Sequence, residues 1–138
     1  MKILYLVPYW GSERLSAETF LSRAKRSGFD GVELSLPADP TQREQWSALL
    51  RQFKLSFVIE QCESADEGTA DYVGKFESAL RHAVAMRPLF VNSHTGKDHF
   101  TFEENSRLLR LAALIEQQSG VSTKHETHRG RAASQDLL

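Results

Sequence analysis

The feature that most constrains this chain is an alternation of short β-type runs with longer helical patterns. The runs fall at residues 3–7, 31–36, 55–60, 88–92 and 121–126, so strands begin about 24 to 33 residues apart. The first run, Ile3-Leu4-Tyr5-Leu6-Val7, is continuously apolar, as expected of a strand covered on both faces. The fifth is the weakest, because Ser122, Thr123, Lys124 and His125 make it polar, and local composition alone does not support a strand there.

Between the runs lie helical stripes. Phe20, Leu21 and Ala24 follow Ser16, a capping residue, and Gly28 suits a left-handed C-terminal turn. Thr41-Gln42-Arg43-Glu44 has the spacing of a capping box, and Trp46, Leu49, Leu50 and Phe53 recur on one helical face. Tyr72, Phe76, Leu80 and Ala83 form the third stripe. Thr101 to Glu104 matches a second capping box, before Leu108, Leu111, Ala112 and Ile115, and Gly120 ends that helix.

The pattern βαβαβαβαβ implies parallel strands with right-handed crossovers. Two architectures share it: a five-stranded doubly wound sheet, complete in about this length, and part of a (β/α)8 barrel, which needs roughly 250 residues. No Gly-rich dinucleotide fingerprint or P-loop is present, and neither absence decides between them. The pattern alone leaves both open.

Composition limits the function classes. A net charge of −1 gives no footprint for nucleic acid or an anionic membrane. No apolar stretch reaches the roughly 20 residues that span a bilayer, and the apolar run at the start is too short for a signal peptide. A single cysteine, Cys62, allows no internal disulfide and has no neighbour that marks a nucleophile. A cytoplasmic protein is the expectation.

Parallel α/β folds bind ligands at the C-terminal ends of their strands. Polar residues gather at those ends here: Tyr9 and Trp10 after the first run, Glu33 in the second, Glu60 and Gln61 in the third, Asn92 to Asp98 at the fourth, and His125 to Arg131 at the fifth. Tyr9 and Trp10 could wall a sugar ring, though an aromatic after a strand more often packs. Glu33 is costly to bury without a partner, which favours a site role. Lys97 and Asp98 read as surface charges, and Arg23, Lys25 and Arg26 as the wet face of a helix.

Three segments carry a family resemblance. They are Phe29-Asp30-Gly31-Val32-Glu33, Phe90-Val91-Asn92-Ser93-His94-Thr95-Gly96-Lys97-Asp98 and, most specifically, His125-Glu126-Thr127-His128-Arg129-Gly130-Arg131. Together they resemble the xylose-isomerase-like sugar phosphate isomerase/epimerase family, over nearly all of the chain up to Arg131. The resemblance implies a partial TIM barrel of four to five βα units over residues 1–131, with residues 132–138 an unassigned tail.

It also implies a divalent metal (Mn²⁺, Mg²⁺, Co²⁺ or Zn²⁺) and a sugar or sugar-phosphate substrate. Glu126 takes the place of the family's metal ligand at the end of the fifth strand, which in many epimerases also moves the substrate proton. His94 becomes a second catalytic candidate. Glu33, Glu60, Gln61, Trp10, His128, Arg129 and Arg131 become candidate substrate contacts. The family's other metal ligands come from its sixth to eighth strands, which this chain does not reach.

The expectation is therefore the N-terminal part of a metal-dependent isomerase or epimerase that moves a proton beside a carbonyl, without full activity and with weak or no metal binding in this chain alone. The alternatives are a non-catalytic fragment or interaction module, and an endonuclease-IV-like phosphodiesterase on the same barrel. Open sheet edges would invite self-association.

Overall fold

A computed structural model describes residues 2–62 and 69–127. The chain forms two compact units, Met1–Glu60 and Gln61–Leu138.

The first unit contains β1 (Leu6–Pro8), α1 (Ala17–Arg26), β2 (Gly31–Ser35), α2 (Pro40–Phe53) and β3 (Ser56–Gln61), whose last residue counts with the second unit. β2 pairs in parallel with both neighbours, Val7 opposite Val32 and Val32 opposite Phe57. Val32 and Leu34 are buried on the face that α1 packs against, with Phe20, Leu21 and Ala24 of its apolar stripe. Arg23, Lys25 and Arg26 are exposed, as the charge pattern indicates.

Two expectations fail in this unit. β1 begins at Leu6 rather than Ile3, and Ile3 and Tyr5 stand exposed. The Tyr5 N–H donates to the Asp30 carboxylate at 2.9 Å instead of joining a ladder. Thr41 does not cap α2. Asp39 does: its carboxylate accepts from the N–H groups of Thr41 (2.6 Å) and Gln42 (3.2 Å). Pro40 explains the shift, since proline has no N–H to satisfy and is preset for the first helical position.

The second unit adds α3 (Thr69–Ala85), β4 (Val91–Ser93), α4 (Phe102–Ser119) and β5 (Thr123–His125). The Thr101–Glu104 capping box forms as read, and Gly120 takes the left-handed cap at φ 72°. Phe76, Leu80, Leu108, Ala112 and Ile115 are buried. The polar fifth run does become a strand, held parallel to β4 with Ser93 opposite His125.

Within each unit strand order follows chain order. β2 lies between β1 and β3, which a 2-1-3 doubly wound order would not allow. Within the second unit the His94 N–H donates to the Gln61 carbonyl at 3.0 Å. The 2-1-3 doubly wound order is thus set aside, and within each unit consecutive strands are neighbours.

Candidate functional site

Alternation along the strands separates two faces in each unit. In the first unit Glu33 turns away from the buried Val32 and Leu34 and is half-buried. Glu60 shares that face with its partner Ser35, whose hydroxyl donates to the Glu60 carboxylate at 3.2 Å. Tyr9 packs edge-on against Phe20 and Trp46, with ring centroids 4.9 and 5.0 Å away, and its hydroxyl donates to the Leu15 carbonyl. Tyr9 is therefore a packing residue, whereas Trp10 is 71% exposed.

In the second unit β4 and β5 bring three polar side chains together. One oxygen of Glu126 accepts from the Asn92 amide at 3.0 Å and lies 3.1 Å from His94 Nε2. Asn92 sits within β4, and His94 and Glu126 each follow a strand end, so the parallel register creates the cluster. The Glu126 N–H donates to the Ser93 carbonyl and fixes the backbone at that point.

The opposite face of the same strands carries a buried polar chain. The Ser93 hydroxyl donates to Gln61 Oε1 at 2.6 Å, Ser93 and Thr95 hydroxyls are 2.8 Å apart, and Thr95 Oγ1 is 2.7 Å from His125 Nδ1. Direction follows from the first link. Ser93 has given its only proton to the Gln61 carbonyl, so it accepts from Thr95. Thr95 has then used its own proton, so it accepts from His125. The chain assigns the Nδ1–H tautomer to His125. It also places Gln61, a candidate substrate contact by sequence, inside the fold as a supporting residue at 1% exposure.

Burial pushes the His125 imidazole below its ordinary 6.5; Lys124 adds to the shift and Glu116 opposes it. The unfolded chain therefore takes up this proton at higher pH than the folded one. The associated stability is complete above pH 6.5 and is lost as pH falls through the lowered value. Denaturant midpoints compared at about pH 7.5 and about pH 5.5 should show an acid loss that His125→Gln reduces.

Lys97 corrects the surface-charge reading. It is 2% exposed, with Nζ 5.3 Å from the centre of the Tyr72 ring. Its backbone N–H and carbonyl are both held by the buried Asn105 carboxamide, at 3.2 and 3.0 Å. A long apolar stem over an aromatic face lets a lysine sit inside. Asp98 is exposed, as expected.

Sequence reasoning placed Asn92, Ser93, Thr95 and His125 at the strand ends without giving them a role, and missed Asn105. The available signal was polarity at alternate positions, Ser93 with Thr95 and Thr123 with His125, where buried strands are usually apolar. His128, Arg129 and Arg131 lie outside the described residues, as does the tail from 132. Among the described residues no group of three or more His, Cys, Asp or Glu side chains could hold a metal ion. Glu126 and His94 offer two converging donors, which do not by themselves make a cage.

Chain-ordered parallel strands, with polar side chains at their C-terminal ends, define a (β/α)-barrel type of domain. The chain has the fold of the N-terminal units of such a barrel, the architecture of D-allulose 3-epimerase from Methylomonas sp. Two crystal structures of that enzyme, one in complex with D-allulose, superpose with a TM-score of 0.72 at 18% identity, covering 95% of this chain and 54% of theirs. An AP endonuclease, family 2, from Brucella melitensis matches with a TM-score of 0.56 at 13% identity, over 88% of this chain and 54% of its own. This chain spans about half the length of each. No protein-family model and no curated protein matches it. No helix of the described residues is long and apolar enough to cross a membrane.

Proposed function

We propose that this chain supplies the N-terminal half of a sugar or sugar-phosphate isomerase/epimerase, with Glu126 as the group that carries a proton beside the substrate carbonyl. The observation behind this reading is the Glu126 carboxylate, fixed by Asn92 and His94 just past β5. Two donors on one oxygen hold the group in a set direction, which proton transfer at carbon requires. Trp10, Glu33 and Glu60 are the proposed sugar contacts among the described residues, and His128, Arg129 and Arg131 are proposed to extend them.

A divalent ion, when bound, would polarise the carbonyl and the neighbouring hydroxyl. Glu126 and His94 would be its ligands from this chain, with the rest of the cage from outside the described residues. β1 pairs only with β2, and β5 only with β4, among the described residues. Their outer edges are the proposed route of self-association or of closure by further βα units.

Titrating D-allulose into ¹⁵N-labelled protein tests the assignment. The His94 and Glu126 amides should shift in a saturable way, and Glu126→Ala should remove the response. If abasic DNA shifts them and the sugar does not, the phosphodiesterase reading replaces this one. If neither ligand moves them, the chain is a non-catalytic module.

A further inference from the structure

The first unit holds a pocket of which the sugar reading uses only Trp10. It lies at the C-terminal end of β2, between the loops that lead into α1 and α2, and has a volume of about 520 Å³. That is within the range of small-molecule sites. Leu34 and Tyr9 form part of its wall on the helix side of the strand, while Glu33 turns to the other face. Glu33 itself is not in the lining, although Ser35, on the same face of β2, is.

Its lining has a definite character. Tyr9 and Trp46 give an aromatic wall braced by their edge-on contact, and Trp10 stands exposed at the mouth. Glu13 is the one charged side chain in the lining, which contains no lysine, arginine or histidine. Its Oε1 accepts from the Gly11 N–H at 2.7 Å, so the carboxylate has a fixed position. Bonds from its own N–H and from that of Gly11 hold its carboxyl below the usual range, and it is ionised at neutral pH. The Gln42 and Gln45 carboxamides make no hydrogen bond among the described residues and add two polar groups for a ligand.

We propose that this pocket binds a small organic cation, an amine or quaternary ammonium group on a compact apolar body. Aromatic faces attract a cation through their quadrupoles, and a single uncompensated carboxylate selects the same sign. A phosphate or carboxylate ligand would meet repulsion from Glu13 with no cation in the lining to offset it. A neutral sugar would leave the charge of Glu13 without a counterpart.

The chain has two tryptophans, and both line this pocket. Their indole N–H signals in a ¹H–¹⁵N spectrum are thus direct reporters. Choline chloride, titrated against a sodium chloride control of equal ionic strength, should shift both signals in a saturable way. Glu13→Gln should weaken binding by about fivefold, the size expected of one exposed ion pair. Trp10→Ala should weaken it too, read from the Trp46 indole. Glu13 and Trp10 are exposed, so both variants should keep the wild-type spectrum elsewhere. The proposal is overturned if neither indole responds up to about 100 mM choline, far above any specific affinity. It is equally overturned if Glu13→Gln binds choline as well as wild type, or if D-allulose or glucose 6-phosphate moves the Trp46 indole and choline does not.

Discussion

Gly31→Ala should destabilise the protein by about 3 kcal/mol, the upper part of the range for overpacking. Gly31 opens β2 directly opposite Ser56 of β3. A Cβ built there runs into the Ser56 carbonyl oxygen and comes within 2.8 Å of its carbonyl carbon. The obstacle is backbone, so no rotamer relieves it. Moving Ser56 would break the bond its N–H donates to the Asp30 carbonyl, together with the neighbouring ladder. Gly28→Ala is the control. Gly28 has φ of +82° and nothing within 4 Å, so only conformational strain opposes the methyl group. That should cost about 1 kcal/mol. Urea unfolding curves of the two variants check the contrast; equal losses would mean that close approach does not set the β2–β3 spacing.

Ser93→Ala should cost about 2 kcal/mol and also change a tautomer. Ser93 is fully buried in the middle of the chain from Gln61 to His125. Without its oxygen the Gln61 carbonyl loses a 2.6 Å donor, and Thr95 loses the acceptor of its proton. Thr95 can then turn that proton toward His125 Nδ1, and the imidazole keeps its proton on Nε2 instead. Imidazole ¹⁵N shifts should report Nδ1–H in wild type and Nε2–H in the variant. A wild-type His125 protonated on Nε2 would contradict the direction of the chain.

The parts of the fold that could be read from sequence are those where a local signal acts alone. Thr101 and Glu104 cap α4 with both reciprocal bonds of the capping box made. The Thr41 to Glu44 match has the same spacing, but Asp39 before Pro40 wins, because a carboxylate reaching two free N–H groups ahead of a proline is the better cap. The stripes on α1 and α3 were legible because helical periodicity and burial coincide. β1 was misplaced because Ile3 and Tyr5 carry strand-like apolarity without a partner strand among the described residues.

The candidate site divides the same way. Strand-end position was enough to single out His94 and Glu126, which the structure brings within 3.1 Å of each other. The supporting chain was not legible because nothing local joins Ser93 and Thr95 to His125 until the β4–β5 register turns them to one face. Lys97 differs for a related reason: its burial depends on Tyr72 and Asn105, which lie apart from it in sequence and meet it only in the fold.

β4 and β5 deliver the His94 and Glu126 side chains to one point, and the proposed metal role depends on that meeting. Dilute Mn²⁺ added to ¹⁵N-labelled protein tests this most directly, since the ion broadens the amides nearest to it. A carboxylate and an imidazole alone should bind weakly, with Kd of about a millimolar. The His94 and Glu126 amides should fade before those around Glu13, Glu33 or Glu60, and Glu126→Ala should abolish the selectivity. Broadening that passes over His94 and Glu126, or that persists there unchanged in Glu126→Ala, would contradict the account.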